Sequence, residues 1–148
     1  MATNFLWGAA GSVMNLLTTE LNSLAISTIT ALGPEINNST GYQMGQLYLN
    51  LGSAAFVVPS FMSVYFMPSN DTAGGSYETL GTLAQTNVQN YLVGVIYIKG
   101  TTAAQKAMLP YVPIPLGKFK CFAATGGSTP TLASSGNTLD IYPTPSQY

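Results

Sequence analysis

Acid–base and nucleophilic chemistry need titratable side chains held close together, and this sequence offers few. Its five acids are Glu20, Glu35, Asp71, Glu78 and Asp140, scattered over turns and segment ends, and histidine is absent. A hydrolase made from them would have to bring two carboxylates together across the fold as a glycosidase-type pair, with no local motif to set their spacing. Metal binding meets the same difficulty, because there is no His, no second Cys and no run of closely spaced acids. Cys121 stands alone beside Phe119, Phe122 and Ala123, which excludes an internal disulfide and suits a small buried hydrophobe. Gly74-Gly75-Ser76 and Gly126-Gly127-Ser128 lack the Lys and the strand-to-helix setting of a phosphate loop, so both read as turns. We therefore expect no catalytic residues, no metal and no cofactor.

Aromatic residues are the remaining groups with recognition chemistry. Tyr42, Tyr48, Tyr65, Tyr77 and Tyr111, five of nine tyrosines, could stack on sugars in a carbohydrate-binding sandwich; rim and core positions on half-buried strands are the plainer reading. Phe5, Leu6 and Trp7 form a compact apolar cluster that includes the one tryptophan, a residue type enriched at interface hot spots. Packing of Trp7 on its own domain is the alternative. Tyr77 and Leu80 lie in a long polar excursion over 71–89, of a length usually functional or ordered by a partner. The expected partner-interface residues are thus Phe5, Leu6, Trp7, Tyr77 and Leu80.

Composition points to a covered surface. Charged residues are 6% of the chain, there is no arginine, and the net charge is −1, whereas soluble domains usually carry about 25% charged residues. So few charges resist self-association poorly. Nucleic-acid binding fits badly, since phosphate affinity comes from clustered Lys and Arg; Lys99, Lys106, Lys118 and Lys120 read as solvated strand ends. No Lys or Arg precedes Lys99 to form a basic signal region, so secretory export is not expected. The longest apolar run, over 91–98, is far shorter than the ~20 residues of a spanning helix, and no membrane integration is expected.

The elements that would position these groups are mostly strands. Ser60–Pro68 is the most legible, with Met62, Val64 and Phe66 on one face, Phe61, Ser63, Tyr65 and Met67 on the other, and Pro59 and Pro68 at its ends. We expect deep burial on the first side and partial cover on the second. Residues 42–51 alternate, with Leu47, Leu49 and Leu51 inward. Further strands are expected over 90–99, 104–112, 118–124 and 138–142, with Gly94 as a bulge and Pro110, Pro113 and Pro115 limiting pairing. Leu16, Leu17, Leu21 and Leu24 sit at helical spacing and predict a short helix over 12–25, against a β reading supported by the β-branched Thr18, Thr19, Ile26, Thr28, Ile29 and Thr30, in which 26–32 would be a strand. Asn37, Asn38 and Asn70 begin Asn-x-Ser/Thr triplets that read here as turns. The length of 148 residues suits one domain. The expectation is mainly β: residues 1–11 as an amino-terminal arm, then one antiparallel β-sandwich over 12–148, jelly-roll-like, with at most one short helix.

Five pieces taken in order resemble a family of small tailed-phage virion proteins that decorate or cement capsids. They are Leu17-Thr-Thr-Glu-Leu-Asn-Ser-Leu-Ala25, Ile36-Asn-Asn-Ser-Thr40, Tyr65-Phe-Met-Pro-Ser-Asn-Asp71 before Tyr77-Glu78, Ile114-Pro-Leu-Gly-Lys-Phe-Lys120, and Leu132-Ala-Ser-Ser-Gly-Asn-Thr-Leu139. Thr72 stands where the family usually has Gly, and basic residues near the last strands are fewer. The resemblance implies a self-associating β-sandwich subunit, made in the host cytoplasm, that sits on the outside of the capsid and bridges neighbouring major capsid proteins. A tail or fibre module binding host glycan is the alternative.

Overall fold

Strict alternation between apolar and polar side chains makes a strand of the stretch around Leu47. Leu47, Leu49 and Leu51 are buried, while Gln46, Tyr48 and Asn50 between them are half-buried. The structure, a computed structural model, describes residues 11–70, 75–77 and 90–144. In these there are eight strands: β1 (Met14–Leu17), β2 (Ile36–Asn38), β3 (Met44–Leu51), β4 (Ser60–Pro68), β5 (Leu92–Ile98), β6 (Gln105–Pro113), β7 (Gly117–Gly127) and β8 (Thr138–Pro143).

Two four-stranded antiparallel sheets result, in the orders β1-β8-β3-β6 and β2-β7-β4-β5. Pairing joins β1 to β8, β2 to β7, β3 to β6 and β4 to β5, the pattern of one long hairpin rolled on itself. That is jelly-roll connectivity, and the chain is a β-sandwich as its strand pattern predicts. Between the sheets lies one core. Rows such as Leu17, Leu139, Leu49 and Ala107 run across the first sheet, and Ile96, Met62, Val64, Ala123 and Cys121 come from the second. Each fully buried Leu, Ile or Phe contributes roughly 1.5–3 kcal/mol through removal from water.

β4 occupies the interior of its sheet, between β7 and β5. Its second face is covered too: Tyr65 and Met67 pack with Phe122 and Ala124 into a smaller apolar layer closed by Ile29, Leu32, Tyr77 and Tyr91. The Tyr65 and Phe122 rings stack at 4.6 Å. Phe61, further along this face, lies over Gly126, where an added Cβ would come within 2.3 Å of the ring. Glycine there is what lets an aromatic cross β7 closely.

Two expectations change. Residues 12–25 do not form the predicted helix: they give β1 and a single 3-10 turn, Thr19–Leu21. A register shift between Asn15 and Leu17 sends both Leu16 and Leu17 into the core, and the turn brings in Leu21, so apolar residues at helical spacing are buried without a helix. β-branched Thr18 and Thr19, together with Ser23 at φ 56°, favour this path. Residues 26–32, read as a strand in the β alternative, keep only a bridge from Ile29 to Ala124. They run beside β7 through the amides of Thr30 and Gly33, bonded to the carbonyls of Ala123 and Cys121. Near Gly94 the β5 register slips as expected, leaving Val93 as the extra residue between the pairs Val64 with Gly94 and Tyr65 with Leu92.

Candidate functional site

The three described acids each serve as an acceptor within the fold. Asp140 takes bonds from Asn15 Nδ2 at 2.7 Å and the Thr138 hydroxyl at 3.2 Å. Glu20 accepts from the Thr18 amide at 2.8 Å, closing the 3-10 turn. Asp71 and Glu78 lie outside the described residues, and among the described residues no three His, Cys, Asp or Glu side chains meet as a metal site would need. Cys121 is fully buried, and desolvation pushes its thiol well above the usual range. Such a thiol is inert packing rather than a nucleophile.

Glu35 is the busiest of the described acids. Its carboxylate accepts from the Tyr77 hydroxyl at 2.8 Å and the Gly75 amide at 3.0 Å, and pairs with Lys118 Nζ at 3.1 Å. The Tyr77 bond first, and then Lys118, hold its pKa below the ordinary value. Lys120 Nζ sits 4.8 Å from the centre of the Tyr77 ring. Tyr77, expected at a partner interface, is thus half-buried and pins residues 75–77 to the outer face of β7. The other expected interface residues, Phe5, Leu6, Trp7 and Leu80, lie outside the described residues. Lys118 and Lys120 do not extend into solvent as strand-end charges, whereas Lys99 and Lys106 are exposed.

Two surfaces stand out. The outer face of the first sheet carries Asn15, Asp140, Tyr48 and Met108 in one row across all four strands, with Gln46 and Tyr142 in the next. Tyr48 meets Tyr142 edge-on at 4.8 Å, and both Tyr142 and Met108 are exposed. Except for Asp140, already bonded, and Lys106 at the edge, this face is uncharged.

A second surface is an apolar cleft of about 420 Å³ at the end of the sandwich where β4 finishes, β5 begins and β6 turns into β7. Phe66, Tyr91, Leu92, Val93 and Ile114 line it with three prolines, and none of its nine lining residues is charged. Leu92 is 47% exposed. Close by, Tyr111 projects with 73% exposure from a left-handed position, φ 56°, on edge strand β6. Strain of this kind in an aromatic costs energy that something else must offset.

Sequence reasoning placed none of the cleft residues at a site. Leu92, Val93 and Pro113 read as ordinary strand and strand-end residues, and only the meeting of β4, β5 and the β6–β7 turn makes them neighbours. The density of prolines over 110–115 was the available signal, since prolines leave few backbone donors needing partners. No family model, no curated protein and no solved structure matches this chain.

Proposed function

We propose that this chain is a structural virion protein that binds the outer surface of a tailed-phage capsid, associates with copies of itself and cements neighbouring major capsid proteins. The observation that supports it best is the combination of a jelly-roll sandwich with uncharged, partly apolar exposed surfaces, on a chain that is 6% charged. Cementing needs contact area, and repeated copies on a shell let weak individual contacts add up. The described carboxylates, spent on internal hydrogen bonds, suit a passive role, and the ordered sequence pieces that resemble the decoration family are what point to a capsid shell.

The test is to purify particles by density gradient and quantify this chain against the major capsid protein in heads and in detached tails. The expected result is co-migration with heads in a fixed ratio. Absence from the particles overturns the proposal. Presence only on tails overturns it in favour of a tail or fibre module binding host glycan, for which exposed Tyr97 and Tyr111 would be the stacking surfaces.

A further inference from the structure

We propose that the free edge of β5 pairs with β5 of a second copy of this chain, antiparallel about a two-fold axis at Ile96, so that two sandwiches share one continuous sheet. The proposal rests on the self-association in the function proposed above and gives it a site.

The register fixes which backbone groups of β5 are unused. On β7, Cys121, Ala123 and Thr125 bond through their backbone to Gly33, Thr30 and Thr28, so Phe122, Ala124 and Gly126 turn theirs toward β4. Their partners Tyr65, Ser63 and Phe61 therefore face β7, and on that side Phe61 N–H donates to the Thr129 hydroxyl and its C=O accepts from it. Ser60, Met62 and Val64 must face β5, where they pair with Ile98, Ile96 and Gly94. That turns the N–H and C=O of Val95 and Tyr97 away from the sheet. The same alternation continues at Lys99, whose N–H donates to Gln105 Oε1 at 3.1 Å and whose C=O accepts from Gln105 Nε2 at 3.1 Å. A side-chain amide thus already lies where an added strand would. Among the described residues nothing bonds to the outer groups of Val95 and Tyr97, so no segment of the same chain described in the structure occupies this edge.

The other three sheet edges suit pairing poorly. β6 carries Pro110 and Pro113, with Tyr111 at φ 56°; β1 has four residues and a register shift, and β2 has three residues. β5 has seven residues, none of them proline or charged.

What favours a second β5 over any other strand is the fit of this edge to itself. A two-fold axis at Ile96 sets Val95 opposite Tyr97 of the partner subunit and Tyr97 opposite the partner's Val95, each pair exchanging both of its N–H and C=O groups. Lys99, whose backbone Gln105 already holds, then falls opposite Val93, the residue that the register slip leaves out of the β4 ladder. The pairing stops at the same point at both ends and strands no regular ladder group. Side chains agree with it. Tyr97, 74% exposed with its ring 6.3 Å from that of Phe61, comes to lie beside the partner's Val95 on the outer face. The nearest charge in sequence, Lys99, ends about 20 Å along the ladder from its mate, beyond a Debye length at physiological salt.

The experiment measures amide hydrogen exchange of the purified full chain, residue by residue, beside its mass by sedimentation equilibrium, at concentrations on both sides of the association midpoint. The expected result is a dimer in which the Val95 and Tyr97 amides exchange at least about tenfold more slowly than in the monomer, while those of Ile96 and Ile98, bonded to β4, are protected in both. Val95→Pro removes an outer donor that the fold itself does not use and should weaken dimerisation at least about tenfold. Tyr97→Lys, at an exposed position, sets a charge in the new ladder; it should act in the same direction and covers the case in which Val95→Pro fails to fold. Fast exchange of both amides in the associated state places the contact elsewhere and overturns the proposal. Slow exchange at every concentration places another segment of the same chain on the edge and overturns it as well. So does association that every folded variant leaves intact, or a chain that stays monomeric throughout. These are solution measurements, so their failure leaves the location on particles untouched, and absence from particles leaves them untouched.

Discussion

Asn38 joins two loops through one amide. Its Nδ2 donates to Tyr42 O at 2.7 Å and Pro115 O at 2.9 Å, and its Oδ1 accepts the Tyr42 amide at 3.0 Å, all nearly out of contact with water. Asn38→Ala would leave those backbone groups without partners, and we expect a loss of about 1–3 kcal/mol, seen as a lower urea midpoint with unchanged slope. Glu35 acts in a pH-dependent way. Its pKa is depressed in the folded state, so its interactions stabilise the fold above the unfolded value and are lost as pH falls through the native one. Glu35→Gln should therefore lower the thermal midpoint at pH 7. The gap from wild type should shrink below about pH 4.3, the ordinary glutamate value, and close once the native carboxylate is protonated. Neither residue was legible as a structural link: Asn38 read as part of a turn, and Glu35 as one scattered acid among five. Their partners are distant in sequence: Pro115, 77 positions away, for Asn38, and Lys118 on β7 for Glu35.

Strands announce themselves where one face is apolar throughout. β3, β4, β7 and β8 follow their sequence pattern because each lies inside a sheet and turns every second side chain into the main core, with β4 and β7 burying part of their other face as well. β1 was hidden, since Leu16 and Leu17 both turn inward at an edge bulge and two successive buried residues break the two-residue period. β7 has the largest structural burden, with Phe119 and Cys121 in the main core and Phe122 and Ala124 in the outer layer. Phe119 is fully buried, its ring 5.1 Å from that of Phe66. Phe119→Ala should cost about 3–5 kcal/mol, measured by chemical denaturation, because β7 is held on both sides and cannot collapse into the cavity.

At the scale of the whole molecule, the scarcity of charge bears on the self-association proposed above. Contacts made through tyrosine, methionine and amide side chains are little screened by salt. The self-association constant of the purified chain should change by less than about threefold between 0.05 and 0.5 M NaCl in sedimentation equilibrium. A steep loss with salt would point to paired charges, which the uncharged sheet face and cleft do not offer. The partner-interface residues expected from sequence divide accordingly. Tyr77 is held by its own domain through Glu35, Phe5, Leu6, Trp7 and Leu80 lie outside the described residues, and the cleft exists only once the ends of β4, β5 and β6 converge.

Taken alone, the sequence determined the class of the fold, the inward faces of its interior strands and the scarcity of charged side chains. These follow from side-chain type and a two-residue period, both local properties. Tertiary structure decided the jelly-roll strand order, the path of residues 12–33, the engagement of Glu35 with Tyr77 and Lys118, and the cleft. Each of those depends on which distant segments pair, and pairing is settled by closing one shared core rather than by any single stretch of chain.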